Sequence, residues 1–134
     1  MAQLKKTAAQ LVKEARARID EVSTEWLLDH HGDEDIVIID IRDIRELQKL
    51  GKIPQAHHAP RGMLEFWVDP QSPYYREIFG QEGKHYILHC ASGWRSALAT
   101  AALQDMGFQA SHLADGFNDW VAKDGPILDM STKP

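Results

Sequence analysis

The stretch Tyr86-Ile87-Leu88-His89-Cys90-Ala91-Ser92-Gly93-Trp94-Arg95-Ser96 decides how this chain is read. It runs from an apolar segment through a small polar loop into the alanine-rich stretch Ser96–Met106. That stretch has high helix propensity and Gly107 as a stop, which predicts a helix. A second apolar run, Ile36-Val37-Ile38-Ile39, shows no alternation and fits a strand buried on both faces, as in a parallel sheet. Working outward, His85–His89 and Phe108–Leu113 read as strands, and residues 53–60, bracketed by prolines, hold a short one. Ile44–Leu50, Met63–Trp67 and Phe117–Ala122 read as helices, and 71–80 as a loop with one helical turn. Strands alternating with helices indicate an α/β domain with a mostly parallel sheet.

The 134 residues suit one domain core. No apolar run is long enough to span a bilayer, and Met1–Lys13 lacks the continuous apolar stretch of a secretory signal, so no membrane role and a cytoplasmic location are expected. The net charge of -5 argues against nucleic acid as a partner. Charge is unevenly spread: residues 1–18 are net basic, whereas residues 19–46 hold ten acids against Arg42 and Arg45. No proline or glycine interrupts Met1–His31, and Leu4, Ala8, Leu11, Val12, Ala15 and Ile19 recur at helical spacing. Residues 1–18 are therefore expected to form an amphipathic helical extension before a domain at 19–134. Its apolar stripe either packs on that domain or docks a protein partner or a second copy. Ser23 before Trp26-Leu27-Leu28 predicts a short capped helix.

The chain has one cysteine, Cys90, which excludes an internal disulfide, a CxxC pair and a multi-cysteine zinc site. It is either an inert core thiol or a reactive one, and its place favours the second. Cys90 lies past the apolar strand, where a helix N-terminus presents unpaired N–H groups and the positive end of its dipole. Such a site lowers a thiol pKa and binds anions. Gly93 lets the loop curl so that several N–H groups turn inward. The segment thus offers a thiolate nucleophile beside an oxyanion cradle. His85 and His89 share a strand face near Cys90, but a chelating set needs three or four converging ligands. They are expected to be structural, with no metal and no cofactor.

The loop Cys90-Ala-Ser-Gly-Trp-Arg-Ser96 resembles the active-site loop of the rhodanese-like sulfurtransferases. Asp40-Ile-Arg42 is similar to that family's Asp-x-Arg segment, and Gly51-Lys-Ile-Pro-Gln-Ala56 to its Gly-His-Ile-Pro-Gly-Ala pattern. Leu113-Ala-Asp-Gly-Phe117 with Trp120, and Gly125-Pro126, resemble its closing elements. The resemblance spans residues 36–126. It implies a five-stranded parallel sheet with helices on both faces. It also implies a reaction in which Cys90 takes sulfane sulfur from a small donor, such as thiosulfate or a persulfide, and hands it to a thiol or cyanide.

On this reading Ala91, Ser92, Gly93, Trp94, Arg95 and Ser96 line the substrate loop, with Asp40 and Arg42 as a supporting ion pair. Arg95 either holds an anion or braces the loop, and Ser96 is expected to cap the following helix and also to hydrogen-bond the site. Trp94 either walls the pocket or packs on Phe66 or Trp67. Asp115 replaces a usual glycine, which is expected to cost backbone freedom there. Two rivals stand beside this reading. One is a cysteine phosphatase or arsenate reductase: the run His89-Cys90 to Arg95-Ser96 approaches the phosphatase pattern His-Cys-x5-Arg-Ser, but only four residues, Ala91–Trp94, separate Cys90 from Arg95. The other rival is a non-catalytic rhodanese-like binding module, which usually lacks the cysteine.

Overall fold

The unalternating run at 36–39 lies at the centre of a sheet covered on both sides. The structure, a computed structural model, describes residues 3–130. Met1 and Ala2, at the head of the expected helical extension, and residues 131–134, at the end of the expected domain, lie outside the described residues. In chain order the elements are α1 (Ala8–Arg16), β1 (Asp20–Val22), α2 (Thr24–His30), β2 (Ile36–Asp40), α3 (Ile44–Leu50) and β3 (His57–His58). They continue with α4 (Leu64–Val68), β4 (His85–His89), α5 (Trp94–Asp105), β5 (Ser111–Leu113) and α6 (Gly116–Ala122). Short 3-10 turns occupy Arg61–Met63 and Glu77–Gly80.

All strand pairings are parallel, and the order across the sheet is β1-β5-β4-β2-β3. The chain leaves β2 toward β3 on one side and β4 toward β5 on the other. The crevice between the carboxyl ends of β2 and β4 is therefore a topological switch point, where ligands of open α/β sheets bind. Asp40 ends β2 and His89, its register partner, ends β4, so the Asp40–Arg42 segment and Cys90 emerge side by side.

Alternate residues of the central strands feed two separate cores. Val37, Ile39, Tyr86 and Leu88 pack with Leu64 and Val68 of α4 and Ala99 and Leu103 of α5. Ile38, Ile87 and Leu113 pack with Leu27 of α2 and Phe117 and Trp120 of α6. A strand sandwiched in this way has no polar face to show, which explains the missing alternation. Local signals set the ends of the helices: Thr7 and Gln10 form a capping box at α1, and Ser23 and Asp43 cap α2 and α3.

The N-terminal region differs from the expected single helix. The helix covers only Ala8–Arg16, Leu4 is exposed, and Asp20–Val22 forms an edge strand on β5. Two acids and a valine carry no strand pattern. The strand exists because its backbone completes the ladder of β5. The strand read at 108–113 is also shorter, since only Ser111–Leu113 pairs.

The apolar stripe of α1 lies on its own domain. Val12, Ala15 and Ile19 form a third cluster with Ala97 and Ala101 of α5, and Arg18 pairs with Asp105 at 2.9 Å. Val12→Ala removes two buried methyl-sized groups and is expected to lower unfolding free energy by about 1.5 kcal/mol, at about 0.8 kcal/mol for each. Urea titration checks this through a lowered midpoint at unchanged slope. An unmoved midpoint would mean that this face adds nothing to the domain.

Candidate active site

Cys90 leaves β4 and is almost fully buried, at 1 % exposure, packed with Leu88, Ala59 and Ala99. Its position past the apolar strand did not foretell that burial. Yet its sulfur is surrounded by donors rather than by hydrocarbon alone. The Gly93 N–H donates to Cys90 Sγ at 3.2 Å and the Ser96 N–H at 3.4 Å, while Ser96 Oγ lies 3.5 Å away. Burial pushes the thiol pKa up. The Ser96 hydroxyl and the N–H groups of Ser96, Gly93 and Ser92 outweigh it, so the thiol lies below its ordinary range.

The backbone that delivers these donors is itself held from behind. The carbonyl oxygens of Cys90 and Ala91 accept the N–H groups of Phe117 at 2.8 Å and Asn118 at 3.0 Å, in the first turn of α6. Those N–H groups have no partner within their own helix, so the loop carbonyls supply one. With its carbonyls turned toward α6, the loop presents N–H groups to the sulfur. Two glycines permit the close approach. Gly93 has φ of +98°, and a Cβ there would overlap the Ala114 carbonyl; Gly116 has φ of +72°, and a Cβ there would overlap the Ala91 carbonyl. Asp115, by contrast, has φ of -105°, so replacing a glycine there carries no left-handed strain, contrary to expectation.

The remaining loop residues divide by role. Gly93, not Ser96, is the residue before the first turn of α5. Ser96 is the third helical residue, and its buried side chain faces Cys90 Sγ and His112 Nδ1 instead of capping the helix. Arg95 makes a two-point pair with Glu46 of α3, at 3.0 and 3.1 Å, so its guanidinium braces the loop. The Glu46 carboxylate holds its pKa above the ordinary value, against the effect of burial, and the charge of Cys90 adds to this. Ser92 and Trp94 are exposed at the rim, and Ala91 is partly buried. Phe66 pairs with Tyr74 and Trp67 stacks on Arg76, leaving Trp94 about half exposed.

Asp40 and Arg42 are wholly buried beneath the site. Arg42 donates through Nε at 3.0 Å and Nη2 at 2.8 Å to the two Asp40 oxygens, and through Nη2 to the Gly51 carbonyl at 2.8 Å. Its guanidinium lies 4.0 Å over the Phe117 ring. The pair thus links the end of β2 to the end of α3 and to α6. Burial opposes the Asp40 charge. His89 and the Arg42 guanidinium outweigh it and hold the carboxyl below its ordinary range. His89 is fully buried; burial depresses its pKa, and Asp40 opposes that shift. His85 bonds Ser111 at 2.9 Å, and among the described residues no cluster of metal-ligating side chains forms.

Two residues that sequence reasoning passed over stand behind Ser96. His112 Nδ1 is 2.8 Å from Ser96 Oγ, and His112 Nε2 is 2.7 Å from Glu21 Oε2. The signal available was a histidine inside a segment read as a strand.

Residues 23–123 match the rhodanese-like domain family. The chain belongs to the rhodanese-like domain family. A protein of Bacillus subtilis named as a candidate sulfurtransferase, YtwF, is 30% identical over 109 residues, covering 81% of this chain and 96% of that protein. A solved structure from Rhodopseudomonas palustris, of a protein of unknown function described as a possible tyrosine phosphatase, superimposes with a TM-score of 0.91 at 41% identity. It covers 96% of this chain and 98% of that one. The thiosulfate sulfurtransferase of Pseudomonas aeruginosa superimposes with a TM-score of 0.68 at 25% identity, over 86% of this chain and 20% of that much longer one. Among the described residues, no helix of this rhodanese-like chain is long and apolar enough to cross a membrane.

The buried pair under the loop has a clear energetic signature. Asp40→Asn leaves the Arg42 guanidinium buried without its counter-charge, and is expected to cost roughly 3–5 kcal/mol of unfolding free energy. The Asp40 carboxyl is depressed on folding. Its contribution is therefore present above the unfolded carboxylate value of about 3.9, and is lost as pH falls through the lower folded value. Denaturant titrations at neutral and acid pH should show the gap between wild type and variant narrowing only in the acid range. A variant as stable as wild type at neutral pH would contradict this account.

Proposed function

We propose that this protein is a sulfurtransferase that carries sulfane sulfur on Cys90. The observation that carries the reading is the buried thiol with backbone N–H groups aimed at its sulfur, at the start of the twelve-residue helix α5. The thiolate attacks the outer sulfur of a donor such as thiosulfate or a persulfide. A new S–S bond forms at Cys90, the donor's own S–S bond breaks, and sulfite or a thiolate leaves with the electron pair. A thiol or cyanide then attacks the outer sulfur of the Cys90 persulfide and releases the Cys90 thiolate. The inward N–H groups stabilise negative charge on sulfur before and after each transfer. No second cysteine exists in the chain to resolve the persulfide, so the acceptor comes from another molecule. Ala91, Ser92 and Trp94 form the rim that the donor meets, and Arg95 adds positive charge near the sulfur while bracing the loop on Glu46.

Phosphate-ester hydrolysis is the second reading, because one similar structure carries a phosphatase description. Two features of this chain disfavour it. The loop has four residues between Cys90 and Arg95 rather than five, which makes a smaller ring of N–H groups. The arginine that would clamp a phosphate is held by both oxygens of Glu46.

Intact mass spectrometry after incubation with thiosulfate, a polysulfide or a low-molecular-weight persulfide separates these readings. The wild type should gain the mass of one sulfur atom, lose it on adding cyanide or a thiol, and Cys90→Ser should gain none. An equal gain on Cys90→Ser, or no gain with any donor alongside Cys90-dependent turnover of an aryl phosphate, would overturn the sulfur-transfer reading.

A further inference from the structure

The register of the sheet brings together three polar side chains that are far apart in sequence. Glu21 on β1 pairs with His112 on β5, which in turn pairs with Leu88 on β4, so the two polar residues share the face covered by α5. Ser96, in the first turn of α5, closes the row against Cys90. The distances run 3.5 Å from Cys90 Sγ to Ser96 Oγ, 2.8 Å from there to His112 Nδ1, and 2.7 Å from His112 Nε2 to Glu21 Oε2. His112 is wholly buried, whereas the Glu21 side chain is 34% exposed. The row therefore leads from the enclosed sulfur to the surface.

We propose that Ser96, His112 and Glu21 form a proton relay that takes the Cys90 proton and holds it while the thiolate reacts. The hydrogen-bond partners set the direction. Glu21 can only accept when ionised, so His112 donates its Nε2–H to it, and Nδ1 is left with a lone pair. The Ser96 O–H donates to that lone pair, and the Ser96 oxygen accepts the Cys90 S–H. In the transfer, the S–H bond breaks and an O–H bond forms on Ser96, while the original Ser96 O–H breaks and an N–H bond forms at His112 Nδ1. The products are a thiolate and an imidazolium, the latter facing the Glu21 carboxylate. The new Ser96 O–H points at the thiolate and donates to it. Charge and atoms balance with no further reactant, and the proton returns by the same path or exchanges with water at the exposed Glu21 end.

The surroundings fit this role. Burial depresses the His112 pKa and so favours the neutral ring, while the Glu21 carboxylate works against that and favours the imidazolium. Arg16 at the end of α1 faces the same group: its Nε is 3.2 Å from Glu21 Oε2, and its Nη2 donates to the Ala114 carbonyl. Arg16 disfavours the imidazolium and Asp115 favours it, while Arg95 favours the thiolate at the other end. His112 and Glu21 are positioning residues that act through Ser96, and the N-terminal helix reaches the site through Arg16.

The proposal rests on the sulfur-transfer reading for its purpose, but its test does not need a sulfur donor. Iodoacetamide alkylation of Cys90, followed across pH, reports the thiolate fraction directly. His112→Gln should move the midpoint upward, lowering the alkylation rate about tenfold near neutral pH for a shift of about one unit, and Glu21→Gln should lower it about threefold. The plateau at high pH, where every thiol is ionised, should stay at the wild-type level in both. A merely structural role would lower the plateau or leave the profile in place, and either result in a cooperatively melting variant would overturn the relay. If His112→Gln does not fold, Glu21→Gln on the partly exposed edge strand decides, and an unshifted midpoint there is equally fatal. A shifted profile with no persulfide formed would leave the relay standing and remove only the sulfur-transfer reading.

Discussion

The two hydrogen bonds from the first turn of α6 to the carbonyls of Cys90 and Ala91 set the chemistry of the site. A peptide unit is planar, so a carbonyl fixed on one side commits its N–H to the other. The Ala91 carbonyl held by Asn118 shares its peptide unit with the Ser92 N–H, which is thereby turned to Sγ, and the turn into α5 brings the Gly93 and Ser96 N–H groups to the same sulfur. The same contact supplies acceptors that the helix start otherwise lacks. It also explains where glycine stands. The chains approach so closely at Gly93 and Gly116 that no Cβ fits at either, and both backbones lie in the left-handed region. Asp115, one residue before, needs neither freedom, which is why a side chain is accommodated there.

That contact holds only if α6 is fixed relative to β2 and β4, and the buried Asp40–Arg42 pair contributes to this. A guanidinium with no exposure is costly unless its charge and its N–H groups are met. Here two carboxylate oxygens and the Gly51 carbonyl meet Nε and Nη2, and the face of Phe117 covers the group, while Nη1 has no hydrogen-bond partner among the described residues. Phe117 is also the residue whose N–H holds the Cys90 carbonyl, so the ion pair and the loop share one side chain. Arg95 and Glu46 brace the other end of the loop from α3. Arg42, Arg95 and Arg16 are thus each engaged by a carboxylate of this chain.

Much of this is legible in the sequence. Ile36–Ile39 and Tyr86–Leu88 lack alternation because both faces are covered, and the alanine-rich helix after Cys90 declares itself by composition. Asp40 and Arg42, expected as a supporting ion pair in a segment that resembles the family's Asp-x-Arg, pair at 2.8 Å with no exposure. What stayed hidden depends on pairing rather than pattern. Asp20–Val22 has no strand character of its own and becomes a strand only because β5 offers a free edge. The row from Cys90 to Glu21 draws on residues 21, 96 and 112, and they meet only after that edge is filled. Of the two roles read for Ser96, the cap falls away because Gly93 takes the position before the helix, and the hydrogen bond to the site remains.

Burial and reactivity at Cys90 are usually opposed, and here they coexist for a definable reason. Desolvation alone favours the neutral thiol. Each fixed donor counters it, and in surroundings of low polarity a charge–dipole contact is stronger than the same contact in water. The donors are backbone groups held by α6 and α5, so they need no reorganisation when the sulfur becomes charged. The burial that raises the cost of a thiolate therefore also strengthens what offsets it, and keeps water from competing for the same N–H groups. A more exposed cysteine would ionise more easily but gain less from the ring. The site depends on donor placement more than on exposure, and that placement comes from the carbonyl-to-helix contact behind the loop.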